Sequence, residues 1–172
     1  MRLKLAVAAL AVTAVSMGGA SFAAADPSSR DADTFIAKTV QSANIDLGDH
    51  GFSLGDEFVF SDDLFAKNDD NHRSDNHDDA VGTDGGVCTI VRVADAGAEH
   101  GTAQCVVTLS LTDRGQITIQ GLVDVTGGNT PASFDLAITG GTGDFADAGG
   151  TVTVEQVNDD REKITLHVQH LS

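Results

Sequence analysis

The residues most suited to holding a metal ion lie in segment 67–79, which reads KNDDNHRSDNHDD and has no apolar side chain. Its oxygen and imidazole ligands stand at alternating positions, which suits a divalent cation. These candidates are Asp69, Asn71, Asp75, His77 and Asp79. The glycine and the closing glutamate of a calcium loop are missing from the required spacing. We therefore favour a long solvated loop, and we predict no metal site and no cofactor.

Nucleophilic catalysis has little support in this sequence. Six histidines and abundant Asp and Ser residues permit a hydrolytic triad in principle. No H-E-x-x-H helix or paired-carboxylate motif is present, however. His167 and His170 are expected on the surface of the last strand and tail. A hydrolase is the least favoured class.

The first 25 residues have the layout of a secretory signal peptide. Arg2 and Lys4 precede an apolar run over 5–15, and small residues follow at 23–25. The run is short for a membrane span. We expect cleavage near Ala25, a flexible leader over 26–33, one domain over 34–172 and a secreted, extracellular location.

Cys88 and Cys105 are the two cysteines of the chain. An exported protein meets an oxidising compartment, which favours a disulfide over two free buried thiols. The midpoint between the two residues falls in a natural hairpin loop, at Ala96 and Gly97. Antiparallel pairing about that loop places the cysteines directly opposite each other, within reach of a bridge.

The charge of the mature chain excludes several partners. Removing the two basic residues of the signal peptide leaves 8 basic and 26 acidic side chains, so the net charge changes from −16 to −18. Such a surface repels nucleic acids and anionic lipids. We predict no nucleic-acid partner and no membrane attachment after signal removal.

Alternating apolar and polar residues recur along the mature chain and predict about eight strands joined mostly by short turns. The first segment, 34–46, fits a strand or a short helix, and we favour the strand. The adjacent Asp62 and Asp63 predict a bulge or bend in the second strand. One apolar face per strand predicts an all-β, lipocalin-like fold, an eight-stranded antiparallel closed barrel.

The apolar faces of these strands supply candidate residues for a ligand-binding lumen. These candidates are Phe58, Phe60, Ile117, Ile119, Val123, Phe134, Leu136 and Ile138. A barrel of eight strands is either filled by such side chains or holds one small ligand. Both alternatives stay open from the sequence alone.

A glycine-rich stretch over 138–150 organises the second half of the chain, and Phe145 and Ala148 within it predict an apolar plug over one end of the sheet. The runs GQITIQG (115–121) and GGTGDFADAGG (140–150) resemble the allene oxide cyclase family and, more loosely, the dirigent proteins. GDEFVF (55–60) and GGVC (85–88) match that family in the same order.

The resemblance implies a largely apolar lumen, often a homotrimer, and an isomerase-like role in positioning a reactive molecule. Two features of the plant cyclases are missing here. No acid occupies 40–44 of the first strand, and Val123 stands where those enzymes carry a tyrosine. A bridged Cys88 cannot act as a thiol. We therefore assign no catalytic residue and leave open whether the chain is an enzyme.

Two functional hypotheses follow. The first is a secreted barrel that binds a small apolar molecule and guides its cyclisation or stereoselective coupling. The second is a non-enzymatic extracellular barrel with a packed core and a structural or interaction role.

Overall fold

The computed structural model describes residues 33–48, 51–67, 77–94, 99–127 and 129–170. Each strand pairs antiparallel with the next, and the last pairs with the first, so the sheet closes into a barrel. The strands are β1 (Asp33–Ile45), β2 (Glu57–Ala66), β3 (Gly82–Val93), β4 (His100–Leu111), β5 (Gly115–Thr126), β6 (Ser133–Gly141), β7 (Ala148–Asn158) and β8 (Arg161–His170). The predicted eight-stranded antiparallel closed barrel is confirmed, and segment 34–46 forms a strand.

The alternation read from the sequence corresponds to the inner and outer faces of the barrel wall. In β5, Ile117 and Ile119 are buried inside, whereas Gln116 and Gln120 are exposed outside. Successive side chains of a strand point to opposite faces, so one apolar face per strand is sufficient to line a closed core. No helix in the described part of the chain is long and apolar enough to cross a membrane.

The hairpin of β3 and β4 has the predicted register. Cys88 lies opposite Cys105, the two Cα atoms are 4.0 Å apart, and the sulfur atoms form a disulfide. Both side chains are on the inner face, because their strand neighbours at alternate positions, such as Ile90 and Ala103, are buried.

One end of the barrel, here called the floor, is closed by the 3₁₀ turn Gly143–Phe145 between β6 and β7. Phe145 and Ala148 are buried there, as the plug prediction requires. Gly143 has a φ of 61°, and a Cβ at this position would lie 2.5 Å from the carbonyl oxygen of Arg114. Only glycine permits this close approach, which brings the turn onto the end of β5.

The opposite end, here called the mouth, is less completely paired. Within the described residues, β8 pairs with β1 only as far as Lys38, although β1 continues to Ile45. The ladder between β5 and β6 likewise spans only 117–120 on β5. The wall at the mouth therefore consists of two arcs, one from β1 to β5 and the other from β6 to β8.

Several sequence expectations need correction or lie outside the described residues. Asp62 and Asp63 do not mark a bend in β2, whose pairing with β3 is continuous through both; the shift in register lies in β1, between Thr39 and Gln41. Asp33, expected in the leader, already pairs in β1. The predicted signal peptide and residues 68–76 of the solvated loop are outside the described residues, while His77–Asp79 at the end of that loop forms a 3₁₀ turn.

Candidate functional site

The interior of the barrel differs between its two halves. Near the floor, inward side chains such as Leu64, Leu109 and Val152 are completely buried. Near the mouth, two inward phenylalanines keep contact with solvent: Phe58 is 41% exposed, and Phe134 is partly exposed. Val123, one inward position further toward the mouth than the row that holds Phe58, is buried. The floor half is therefore packed, and the mouth half is open to solvent only beside these phenylalanines.

The eight lumen candidates all lie on the inner face, but they differ in burial. Ile117, Ile119, Val123, Leu136 and Ile138 are buried members of the hydrophobic core. Phe58, Phe60 and Phe134 are only partly buried and line the mouth half. These three phenylalanines are the candidates that a bound molecule could reach. Whether they touch a ligand stays a prediction.

Phe58 and Phe60 form an aromatic pair on one side of the open half. Their ring centroids are 5.5 Å apart and the rings are nearly parallel. Phe60 lies over Gly86 of β3, where an added Cβ would come within 2.8 Å of the ring. The absence of a side chain at Gly86 makes room for this ring beside the Cys88–Cys105 bridge.

Three carboxyl groups, here called the carboxyl cluster, lie on the inner face below the aromatic pair: Asp62 of β2, Asp84 of β3 and Glu162 of β8. Asp62 is directly opposite Asp84 in the β2–β3 ladder. Glu162 pairs with Ala37 on β1, and Ala37 pairs with Leu64 on β2, so Glu162 lies across β1 at one inward position from Asp62. Asp62 is two residues beyond Phe60, so the cluster lies about 7 Å further toward the floor.

The protonation states of this cluster are set mainly by burial. Burial raises the pKa of Asp84 to about 8, and the adjacent Asp62 adds to this rise. Burial and Asp62 together raise the pKa of Glu162 to about 7. Burial also raises the pKa of Asp62, although hydrogen bonds from Thr39 and Asp84 stabilise its ionised form. Near neutral pH Asp84 is therefore mostly protonated and can donate a hydrogen bond to Asp62.

Two oxygen atoms of the cluster have unused hydrogen-bonding capacity. Asp62 Oδ1 and Asp84 Oδ1 are buried and have no hydrogen-bond partner among the described residues. Both residues are only 5% exposed. An unsatisfied buried carboxyl oxygen is costly, so a donor group from a bound molecule would be stabilised there. Adjacent carboxyl groups with raised pKa values can also exchange protons with a bound molecule.

A metal is not the group that this arrangement fits best. Within the described part of the chain, no three His, Cys, Asp or Glu side chains are placed to hold an ion. His77, a candidate ligand in the sequence, instead contacts Asp63 on the outside of β2, with 2.7 Å between Nδ1 and Oδ2. Of the other candidates, Asp69, Asn71 and Asp75 lie outside the described residues.

Sequence reasoning missed the carboxyl cluster. It sought an acid on β1, by analogy with the plant cyclases, whereas the acids come from β2, β3 and β8. A signal was present: Asp62 and Asp84 occupy inward positions in the alternation of Phe58, Phe60 and Leu64 on β2 and of Cys88 and Ile90 on β3. A charged residue at an inward position of an otherwise apolar strand face indicates a buried functional side chain rather than a turn.

Comparisons with known proteins agree with this fold. The model of the family "Allene oxide cyclase barrel like domain" matches residues 36–168. A solved structure of a pyocyanin demethylase is 33% identical, covers 80% of this chain and 99% of its own, and superposes with a TM-score of 0.63. The search of curated proteins found no match.

Two more distant structures share the fold. The pterocarpan synthase dirigent protein GePTS1 is 16% identical, with coverages of 81% and 86% and a TM-score of 0.52. The Diels–Alderase AbmU from Streptomyces koyangensis is 14% identical, with coverages of 81% and 70% and a TM-score of 0.52. With its barrel, its glycine-rich turn and this family match over most of its length, the chain belongs to the allene oxide cyclase barrel-like family.

Proposed function

We propose that the mouth half of the barrel binds a small, flat, nitrogen-containing aromatic molecule and that the carboxyl cluster exchanges protons with it. The observation that carries the proposal is the placement of Asp62, Asp84 and Glu162 on the inner face, directly below the aromatic pair. A flat ring can stack on Phe58 and Phe60. A cationic or N–H group on that ring would face the carboxyl groups of the cluster.

The demethylase comparison supports this choice of ligand class. Pyocyanin is a flat phenazine with an N-methyl group. The pyocyanin demethylase aligns with this chain over 99% of the demethylase's own length. In this proposal, the chain's own residues provide the acid–base chemistry. Asp84 supplies a proton or a hydrogen bond, Asp62 accepts one, and the apolar wall keeps bulk water away from the ring.

Pyocyanin itself is the first probe. Absorbance titration of the protein purified from culture medium should show saturable binding. Release of the N-methyl group as formaldehyde consumes one water molecule and leaves two electrons on the phenazine ring, so mass spectrometry should detect formaldehyde and a reduced phenazine that lacks the methyl group. We expect Asp84→Asn to reduce turnover at least about 100-fold, because general acid–base catalysis contributes on that scale. Asp124→Asn is the control, since Asp124 is on the outer face, bound to Thr102.

The result would contradict the proposal if pyocyanin and related N-alkylated heteroaromatics failed to bind, or if Asp84→Asn and Asp124→Asn turned over equally. Binding without any product would leave a ligand-binding barrel and remove the enzymatic part of the proposal.

A second function, guidance of a cyclisation or stereoselective coupling, is favoured by the family match over 36–168. It requires an apolar, conformation-fixing lumen and no acid–base pair. Turnover of a neutral polyunsaturated epoxide that is insensitive to Asp84→Asn would identify this function. The complete burial of inward side chains in the floor half is the observation that favours the alternative of a packed, non-enzymatic barrel.

Export is also part of the proposal. It rests on the layout of residues 1–25 and agrees with a disulfide between β3 and β4. Amino-terminal sequencing of the protein recovered from medium should begin at or near Asp26. Recovery of the uncleaved chain from the cell interior would overturn the secreted location.

A further inference from the structure

The Cys88–Cys105 bridge forms part of the lumen wall beside the aromatic pair. Cys88 lies directly opposite Phe58 in the β2–β3 ladder, and Cys105 lies opposite Gly121 in the β4–β5 ladder. Directly paired residues have Cβ atoms about 5 Å apart, so a ring stacked on Phe58 comes close to the Cys88 sulfur. Cys88 is partly buried, whereas Cys105 is only 3% exposed. Cys88 is therefore the cysteine that a bound molecule meets first.

Formation of this bridge needs an oxidant. A newly made chain carries two thiols, and joining them removes two electrons and two protons. Structural disulfides of exported proteins have low reduction potentials, so their dithiol forms are strong reductants. A phenazine, the ring class proposed above as the ligand, accepts two electrons and two protons because each of its two ring nitrogens can become an N–H group. A phenazine stacked on Phe58 would therefore be an oxidant next to Cys88.

From this placement we infer a further activity of the lumen: an oxidised phenazine held on Phe58 oxidises the thiols of Cys88 and Cys105 to the disulfide and leaves as the dihydrophenazine. The inference rests on the proposed binding of a nitrogen-containing aromatic molecule at the mouth, but it does not require removal of a methyl group. It narrows the ligand class to flat rings that accept two electrons.

The electrons and protons of this exchange balance in two steps. The Cys88 thiolate adds to a ring carbon of a C=N bond, a C–S bond forms, and the displaced electron pair moves to the ring nitrogen, which takes up the Cys88 proton. The Cys105 sulfur then attacks the Cys88 sulfur, so an S–S bond forms, the C–S bond breaks and its electron pair passes to the ring. The second ring nitrogen takes up the Cys105 proton.

Backbone pairing places both thiols for the second step. The ladder between β3 and β4 is continuous from Gly82 to Ile90 on β3 and holds Cys88 opposite Cys105 along its length. The sulfurs therefore need no rearrangement of the strands to meet. Because Cys105 is the more deeply buried of the two, it suits the resolving role, and Cys88 suits the attack on the ring.

Thiol counting under anaerobic conditions tests the inference. The protein from culture medium is reduced with a phosphine, freed of the reductant and mixed with one equivalent of 1-hydroxyphenazine, which has no N-methyl group to lose. We expect both thiols to disappear, the protein mass to fall by two hydrogen atoms and the oxidised phenazine absorbance to be lost. The folded chain should react at least about 100-fold faster than the same chain unfolded in urea, because the site holds the reactants together.

Three variants separate the steps. Cys105→Ala should stop the reaction before dihydrophenazine is released, since no second sulfur is present to break the C–S bond. Phe58→Ala keeps both cysteines and should slow the loss of thiols by up to roughly tenfold, because half of the stacking surface is removed. Phe65→Ala is the matched control, since Phe65 is on the outer face of β2, and it should leave the rate unchanged.

Equal rates of thiol loss in the folded and the unfolded chain would overturn the inference, and so would equal slowing by Phe58→Ala and Phe65→Ala. Circular dichroism of the reduced proteins establishes that each is folded, and a reduced wild type that is unfolded would also overturn it. Absorbance titration of the oxidised protein with 1-hydroxyphenazine is run in parallel. Saturable binding without accelerated thiol loss removes this inference alone, whereas absence of binding removes the proposed function as well.

Discussion

Asp84 combines a buried position with a neighbouring carboxylate, and this makes the stability of the barrel depend on pH. Its pKa of about 8 in the folded protein is well above the ordinary value of an aspartate. The folded state therefore keeps a proton that the unfolded chain releases near pH 4. The stabilising effect is complete in acid and is lost as the pH rises through the folded-state pKa.

We predict that the free energy of unfolding falls by about 3 to 4 kcal/mol between pH 5 and pH 8, at roughly 1.4 kcal/mol per unit for one titrating group. Glu162, with a pKa of about 7, changes stability in the same direction. Urea denaturation at several pH values measures the slope. Asp84→Asn should make the slope of unfolding free energy against pH shallower, because the amide does not titrate. Asp124→Asn should leave that slope unchanged. Equal stability of the wild type at pH 5 and pH 8 would contradict this prediction.

At the scale of the strand, β3 shows how one glycine creates the site. Gly86 points inward and would place a Cβ within 2.8 Å of both Phe60 and Val107. Its neighbour Gly85 points outward, and a Cβ there would have only one contact, at 3.6 Å. Adjacent glycines of one strand thus have different roles, determined by the face on which they lie.

Gly86→Ala should destabilise the protein by about 1 to 3 kcal/mol and weaken binding of an aromatic ligand, because the Phe60 ring must move. Gly85→Ala should change stability by less than about 0.5 kcal/mol. Thermal or urea unfolding with both variants tests the difference. Similar losses in the two variants would show that crowding under Phe60 is not the reason for glycine at position 86.

The elements of this barrel were largely predictable from the sequence, and the site was not. The alternation of apolar and polar residues predicted the strands, and the midpoint between Cys88 and Cys105 predicted the register of the β3–β4 hairpin. The carboxyl cluster depends on pairing between β1, β2, β3 and β8, which brings Glu162 near an aspartate 100 positions earlier in the chain. Local pattern contains no information on that contact, because it follows from closure of the sheet.

The interruptions of backbone pairing at the mouth could not be predicted from the sequence either. The sequence pattern predicts β1 and β5 as regular strands. In the structure, β1 continues beyond Lys38, its last residue paired with β8, and β5 continues beyond Gln120, its last residue paired with β6. Backbone pairing between the two arcs of the wall is therefore interrupted at these ends. Such an interruption depends on the stagger of strands around the closed barrel, which is a property of the whole sheet.

For the whole molecule, the contrast between a packed floor half and the partly exposed phenylalanines at the mouth predicts that stability and binding respond to different substitutions. Leu64 is completely buried near the floor, so Leu64→Ala should cost about 2 to 5 kcal/mol of unfolding free energy. The cavity would form two inward positions from Phe60, on the floor side of Asp62. Ligand affinity of the molecules that remain folded should therefore change less than it does when the aromatic pair itself is altered.

Phe58→Ala should show the opposite behaviour. This side chain is partly exposed and packs on Phe60, so its removal leaves little cavity and should cost much less stability than Leu64→Ala. A stacked aromatic pair contributes about 0.5 to 1.5 kcal/mol, and losing half of the stacking surface should weaken binding of pyocyanin by up to roughly tenfold. Calorimetric titration and urea unfolding of the two variants measure both quantities in parallel. If Phe58→Ala destabilised the barrel as much as Leu64→Ala and left affinity intact, the mouth half would be part of a continuous core, and the lumen would have no room for a ligand.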